Sequence, residues 1–276
     1  MGIAPVLKYP GAKWSLADWI VSHMPRHTTY LEPYFGSGAV FFNKQPSLIE
    51  TINDLDGNVI NLFKVIRDRP EELAALIQMT PWSRKEYFEL LTHAGDPDYY
   101  KRSGDPTEDA RRFLVRMWQG RGSKTSDRSG WRHDIQGRKG TSCPKTWRKL
   151  PNTIISIADR LRDAQLECQP ALKLIERYAY PEVLIYADPP YPLSTRSKRM
   201  YKNEMTDADH LELLDALDNH PGPVLLSGYE CDLYNKRLKH WEKKTARAFA
   251  EGGRERQEVL WFNQTAAEEV FALRLF

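Results

Sequence analysis

The chain has 276 residues, 41% hydrophobic and 28% charged, which suits a globular protein with a large core, either one large domain or a core carrying an inserted lobe. Three cysteines without CxxC spacing (Cys143, Cys168, Cys231) argue against a disulfide scaffold or a zinc site and fit a reducing cytosol. No apolar run approaches a membrane span and no signal-peptide stretch opens the chain, so a cytoplasmic protein is expected. The formal net charge is only +3, but residues 101–150 carry fourteen Lys or Arg against five acids, and the remainder sums to −6. A basic segment on an otherwise acidic chain points to a polyanion partner.

Leu7-Lys8-Tyr9-Pro10-Gly11-Ala12-Lys13-Trp14 comes first. Pro10 and Gly11 imply a turn, and Ser15 is placed to cap a helix over Leu16 to Met24. Tyr9 and Lys13 can close over a ligand, one as a stacking ring and one as a cation for a carboxylate; taken alone the stretch reads more simply as a surface loop with an ordinary lysine. Tyr30-Leu31 then predicts a strand, followed by a loop holding Gly36 and Gly38 and a helix from about Ala39. The two glycines permit a tight backbone and close ligand approach, as in the first turn of a dinucleotide-binding unit, although a full GxGxxG is absent. Ile49 to Asp54 predicts a second strand that ends in an acid, eighteen residues past Gly36. An acid at about that spacing commonly binds ribose hydroxyls, so a nucleoside-containing ligand is implied. Capping the helix Gly57 to Phe63 is the competing role for Asp54, and Asp56 is the better cap.

Periodicity predicts helices over Glu71 to Gln78 and Ser83 to Leu91, started by Pro70 and Pro81, and over Glu108 to Trp118, entered from Pro106. Regularity then stops. Gln119 to Lys149 is rich in Gly, Ser, Arg and Lys, with Trp131 and Trp147 interleaved. A loop of that length inside a compact domain is functional or disordered. Basic residues broken by aromatics suit a nucleic-acid surface, against the plainer reading of a solvated charged loop. Arg121, Lys124, Arg128 and Arg132 are the candidate nucleic-acid contacts.

Further on, helices are expected over Asn152 to Leu161 and Ala171 to Tyr178, with a strand at Gln165 to Gln169 between them. Val183-Leu184-Ile185-Tyr186 predicts a buried strand, and Asp188-Pro189-Pro190-Tyr191 follows it. The prolines end the strand and stiffen what comes after. A carboxylate, two carbonyls and a ring are therefore held in a row at the C-terminal end of a strand, where open α/β sheets bind ligands. Asp188 and the Pro189 carbonyl are acceptors that can hold an amino group with two hydrogens, while Tyr191 can stack on the ring that bears it. A strand end with a proline turn, and Tyr191 in the core, is the bland alternative. Pro192 to Asn203 is polar and basic and can form a flap, and Thr206 or Asp207 caps the next helix, whose His210 reads as structural. Val224 to Tyr229 predicts a strand and turn, and Glu255 to Asn263 one arm of a terminal hairpin.

Lys-Tyr-Pro-Gly-Ala-Lys, Leu-Glu-Pro-Tyr-Phe-Gly-Ser-Gly, Asn-Asp-Leu-Asp and Asp-Pro-Pro-Tyr, in that order, resemble the Dam-like family of DNA adenine methyltransferases, of the alpha motif order. The resemblance covers nearly all of the chain outside residues 80–150. It implies an α/β, Rossmann-like methyltransferase sheet with helices on both faces over 1–68 and 152–276, and an inserted, mainly helical and loop target-recognition lobe over 69–151. It implies methyl transfer from S-adenosyl-L-methionine to the exocyclic amine of adenine in duplex DNA, by base flipping and direct in-line transfer, leaving S-adenosyl-L-homocysteine. Asp188, Pro189, Pro190 and Tyr191 would be catalytic. Tyr9, Lys13, Glu32, Phe35, Gly36, Gly38, Asp54 and Asp188 would hold the cofactor, and no metal is implied. A cognate restriction endonuclease is a possible partner, and no oligomeric state is implied. An RNA or protein amino-methyltransferase, or a non-catalytic DNA-binding relative, are the alternatives; the long basic insert and the intact Lys13, Asp54 and Asp188 weigh against them.

Overall fold

The computed structural model describes residues 3–91, 100–122, 124–136, 142–196, 198–249 and 255–272. Arg138, Lys139 and Ser197, counted above in the basic segment and the flap, lie outside the described residues. In chain order the elements are α1 (Ala17–Val21), β1 (Thr29–Glu32), α2 (Ala39–Asn43), β2 (Ile49–Asn53), α3 (Gly57–Asp68), α4 (Pro70–Met79), α5 (Arg84–Leu90) and α6 (Pro106–Gln119). They continue with α7 (Cys143–Trp147), α8 (Leu150–Arg162), β3 (Ala164–Glu167), α9 (Ala171–Arg177), β4 (Val183–Ala187), α10 (Asp207–Asp218), β5 (Val224–Gly228), α11 (Asp232–Arg237), β6 (Glu242–Phe249), β7 (Glu255–Phe262) and α12 (Gln264–Ala272).

One compact unit, residues 13–55, 164–199 and 203–276, contains every strand among the described residues. They form a single seven-stranded sheet in the order β3-β2-β1-β4-β5-β7-β6. β1 to β5 are parallel, and β7 runs antiparallel between β5 and β6. The order reverses between β1 and β4, so their C-terminal ends open the crevice where such sheets take ligands. β4 and β5 are buried along their whole lengths, as strands covered on both faces must be. On one face Ile185, Ala187, Leu226 and Trp261 pack with Leu174 of α9, Leu213 and Leu217 of α10 and Tyr234 of α11. The opposite face presents Tyr30 and Phe262, which meet Lys44 and His23 beyond the ends of α2 and α1. The Rossmann-like α/β sheet flanked by helices is thus present.

Local chemistry explains the element ends. Asp56 caps α3 by accepting from the Asn58 amide at 3.0 Å, as its position suggested. Thr206 and Asp209 form a reciprocal capping box at α10. Ser15 makes no cap; α1 begins only at Ala17, after a turn, and Leu16 holds the cap position without a side-chain bond. Gly38 caps α2 at φ 68°, a left-handed conformation. A Cβ there would lie 2.4 Å from Phe35 Cζ and 2.7 Å from Phe42 Cε2, so only glycine lets the loop close on its own aromatic floor.

The second compact unit comprises residues 1–12, 56–163 and 200–202. Its core is helical: α3 packs on α6 and α8, and α4 packs on the same pair. The buried faces carry Leu62, Phe63, Leu73, Ile77, Phe113, Leu114, Ile154 and Leu161. The expected bounds of 69 and 151 fall inside this unit, because α3 and α8 share its apolar core. The N-terminal segment joins it through the Trp118 indole, which donates to the Val6 carbonyl at 2.8 Å.

Candidate functional site

β4 delivers Asp188 one residue past its C-terminal end, as the sequence suggested. The carboxylate is paired. Lys13 Nζ donates to Asp188 Oδ2 at 2.8 Å and stands 3.7 Å from Glu258 Oε1. Lys13 and Glu258 are nearly fully buried, while the Asp188 side chain keeps 18% exposure. Tyr191 is buried too, and its hydroxyl donates to Glu258 Oε1. The Tyr191 ring meets Tyr229 edge-on at 4.7 Å, and Lys13 Nζ lies 4.8 Å from its centroid. A cation, two carboxylates and a phenol are thus knotted together in space, from three separate stretches of chain. Burial pushes the Glu258 carboxyl above its usual range, against the pull of Lys13. Burial also raises the Tyr191 phenol well above normal, and the neighbouring Asp188 and Glu258 charges add to it, so the ring stays neutral.

Glu32 closes β1 and is buried. The Tyr30 hydroxyl donates to its Oε2 at 2.8 Å. Burial pushes the Glu32 carboxyl from 4.5 up to about 8; the Asp188 charge adds to the rise, and the Tyr30 bond and Lys44 oppose it. The fold therefore holds this proton more tightly than the unfolded chain does. Stability from this position is complete below about pH 4.5, falls as pH rises, and levels off above about pH 8. Urea unfolding of Glu32→Gln beside the parent should show the variant gaining on it across that window. A difference that is constant with pH would contradict the buried, protonated acid.

Asp54 lies just past β2 and receives the Gly36 amide on Oδ2 at 2.8 Å, while the Phe35 amide donates to the Asn53 carbonyl at 2.8 Å. The structure therefore joins Asp54 to the Gly36–Gly38 loop, whose Gly36 also has a left-handed φ of 51°. It joins Lys13 instead to Asp188. Tyr9 belongs to the other compact unit, where its ring is 6.1 Å from that of Tyr201. His210 is buried, and its Nδ1 pairs with the Tyr234 hydroxyl at 3.0 Å. It is a packing residue.

In that other unit the basic segment is partly ordered by a bridge between Gly120 and Trp131, with the Arg121 amide donating to Gly130 at 2.7 Å and the Arg132 amide to Gln119 at 2.6 Å. Arg121 and Arg128 are exposed, and Lys124 and Arg132 half-buried. The Arg84 guanidinium stands 4.9 Å from the Trp131 centroid, and His133 stacks on the same indole. Not all of the charge faces outward. Arg116 is buried and donates to the Thr125 carbonyl at 3.1 Å, and Arg111 binds Glu108 and Glu86.

Sequence reasoning missed Glu258 and Tyr229. The signal for Glu258 was its place on the same strand face as Leu260 and Phe262, where a carboxylate is costly unless paired.

Among the described residues no group of His, Cys, Asp or Glu is arranged to hold a metal, and no helix is long and apolar enough to cross a membrane. Against known proteins, the family described as D12 class N6 adenine-specific DNA methyltransferase matches residues 9–249. The DNA adenine methylase of Escherichia coli K12 is 25% identical over 92% of this chain and 91% of its own length. That of Serratia marcescens is 24% identical over 85% and 86%. The type II methyltransferase M.MjaIII of Methanocaldococcus jannaschii is 24% identical over 86% and 88%. With the match running from the N-terminal turn, through the glycine loop and Asp188, to the end of β6, this chain belongs to the D12 class of N6 adenine-specific DNA methyltransferases.

Proposed function

We propose that this DNA adenine methyltransferase takes its methyl group from S-adenosyl-L-methionine and delivers it at Asp188. The carrying observation is the placement of Asp188 and the stiff Pro189-Pro190 segment at the switch point of the sheet, beside the glycine loop and its acid. The residues fit that donor. Asp54 offers acceptors for ribose hydroxyls, Gly36 and Gly38 let backbone approach closely, and Phe35 floors the loop. Glu32 adds an acid beneath them. When bound, the donor supplies a methyl group activated by a positively charged sulfur.

The protein's part is to present the nucleophile. The exocyclic amine of a stacked adenine is out of reach, so the base is rotated out of the duplex. Asp188 and the Pro189 carbonyl accept its two N–H bonds. That draws the nitrogen toward tetrahedral geometry and frees its lone pair to displace a neutral sulfur leaving group, and the extra proton of the methylated nitrogen passes by way of Asp188 to solvent, with positioning and charge carrying the rate. Tyr191 provides the stacking face, a contact worth about 1–3 kcal/mol in single-strand sites. No nucleophilic side chain is needed.

Residues 69–151 serve as the DNA-reading lobe in this account, with Arg121, Lys124, Arg128 and Arg132 against phosphates or base edges. Alanine at Arg121 or Arg128 is expected to weaken duplex binding and to lower the slope of log affinity against log salt by about 1 per lost phosphate contact. An unchanged slope removes that residue from the interface. The reading as a whole is tested by transfer of label from S-adenosyl-L-methionine to unmethylated duplex DNA, followed by sequencing of the modified bases. Label in adenine within one short motif supports it. Label in RNA or protein alone would refute it.

A further inference from the structure

We propose that Glu258 is a positioning residue of the reaction: it draws the Lys13 ammonium away from Asp188 and the Tyr191 ring, so that the amino group of the target base can take that place. The proposal rests on the assignment of Asp188 as the acceptor for the target amine.

Lys13 Nζ occupies both contacts that the amine requires. It donates to Asp188 Oδ2 at 2.8 Å and lies over the Tyr191 ring at 4.8 Å. A nitrogen bearing hydrogens, next to the carboxylate and above the ring, stands where the target nitrogen has to stand. The ammonium also withdraws electron density from Asp188, which weakens the carboxylate as an acceptor for a neutral amine. Lys13 is 6% exposed, so it cannot simply turn into water. Moving a buried ammonium without a partner is costly, and a second anion within reach removes most of that cost. Glu258 is that anion. Its Oε1 is 3.7 Å from Nζ, and the whole side chain is 3% exposed. A shift of about one ångström brings the pair to the usual 2.7–2.9 Å of a charge-assisted bond. The same oxygen already accepts from the Tyr191 hydroxyl, which holds the stacking ring still while the cation moves. β7 is paired with β5 from Leu225 to Gly228 and with β6 along its length, so the carboxylate rides on a rigid strand.

The test is a double-mutant cycle read in single-turnover methyl transfer at saturating duplex and donor. Glu258→Gln keeps an acceptor for the Tyr191 hydroxyl but removes the charge that attracts Lys13. The transfer rate should fall at least about tenfold, one pKa-unit equivalent of lost differential interaction, with DNA and donor affinities near those of the parent. In a Lys13→Gln background the cation is gone, and adding Glu258→Gln should then change the rate by less than about twofold. An equal loss in both backgrounds makes Glu258 a packing partner of Tyr191 only, and overturns the proposal. So does a Glu258→Gln enzyme that keeps the parent's rate, since Lys13 would then remain on Asp188 throughout. Comparing the double variant with Lys13→Gln keeps the proposal refutable even if Glu258→Gln alone fails to fold: a loss beyond about twofold with the cation already gone overturns it. Asp188→Ala is run alongside. Retained transfer in that variant refutes the assignment of Asp188 rather than the role of Glu258.

Discussion

Replacing Asp188 with alanine is expected to reduce the methyl-transfer rate by about 10²–10³-fold or more, the loss seen when one charge-directed hydrogen bond to a reacting group is removed. The fold should survive. Asp188 lies past the end of β4, keeps 18% exposure, and bears none of the strand's ladder bonds. Its cation is not stranded either, since Glu258 stands 3.7 Å from Lys13 Nζ. kcat and kcat/KM should fall together, because the bond from the amine to Asp188 strengthens as the nitrogen approaches tetrahedral geometry. Asp188→Asn, which accepts without charge, should fall between parent and alanine. Single-turnover transfer together with circular dichroism checks all three. An alanine variant with substantial activity and a normal spectrum would remove Asp188 from the chemistry.

The largest loss of stability is expected at Lys44, far along the chain from Asp188. Lys44 and Glu50 are both about 2% exposed and pair at 2.5 Å. The same ammonium donates to the Gln45 carbonyl and to Ser47 Oγ, each at 2.8 Å, and lies 4.4 Å from the Tyr30 ring centroid. Lys44→Met removes the cation and leaves a buried carboxylate, at a cost of about 3–5 kcal/mol. Adding Glu50→Gln should recover much of that loss, since no charge is then left unpaired. Urea unfolding of the parent and the two variants measures it. A Lys44→Met protein within about 1 kcal/mol of the parent would mean that water reaches Glu50, contrary to its burial.

The parts that were legible in the sequence depend on near neighbours. The run Val183 to Tyr186 marked a buried strand, the prolines marked its end, and Asp188 followed. Asp56 and Thr206 were readable as caps because a cap acts within three residues. Ser15 satisfied the same rule but failed, since the chain turns once more before α1 starts. β6 was missed because Glu242 to Ala248 mixes charged and small residues; it is an edge strand, held by β7 alone, and needs no apolar face. Glu258 was read as part of a strand but given no role. Its partners Lys13 and Tyr191 are brought to it only by the order of strands in the sheet. Composition likewise overstated the basic surface, because burial of Arg116 and the pairing of Arg111 with Glu86 are tertiary facts.

The insertion of β7 between β5 and β6 has a consequence for synthesis. The ribosome issues Lys13, Asp188 and Tyr191 well before Glu258, and β5 has no neighbour on that side until β7 arrives. A nascent chain that has already assembled β1 to β5 still exposes β5 as an open edge, a template for other chains. The emergence of β7 therefore does two things in one event. It seals the edge and supplies the second carboxylate of the site, so a chain that escapes aggregation by closing its sheet is also a chain ready to act.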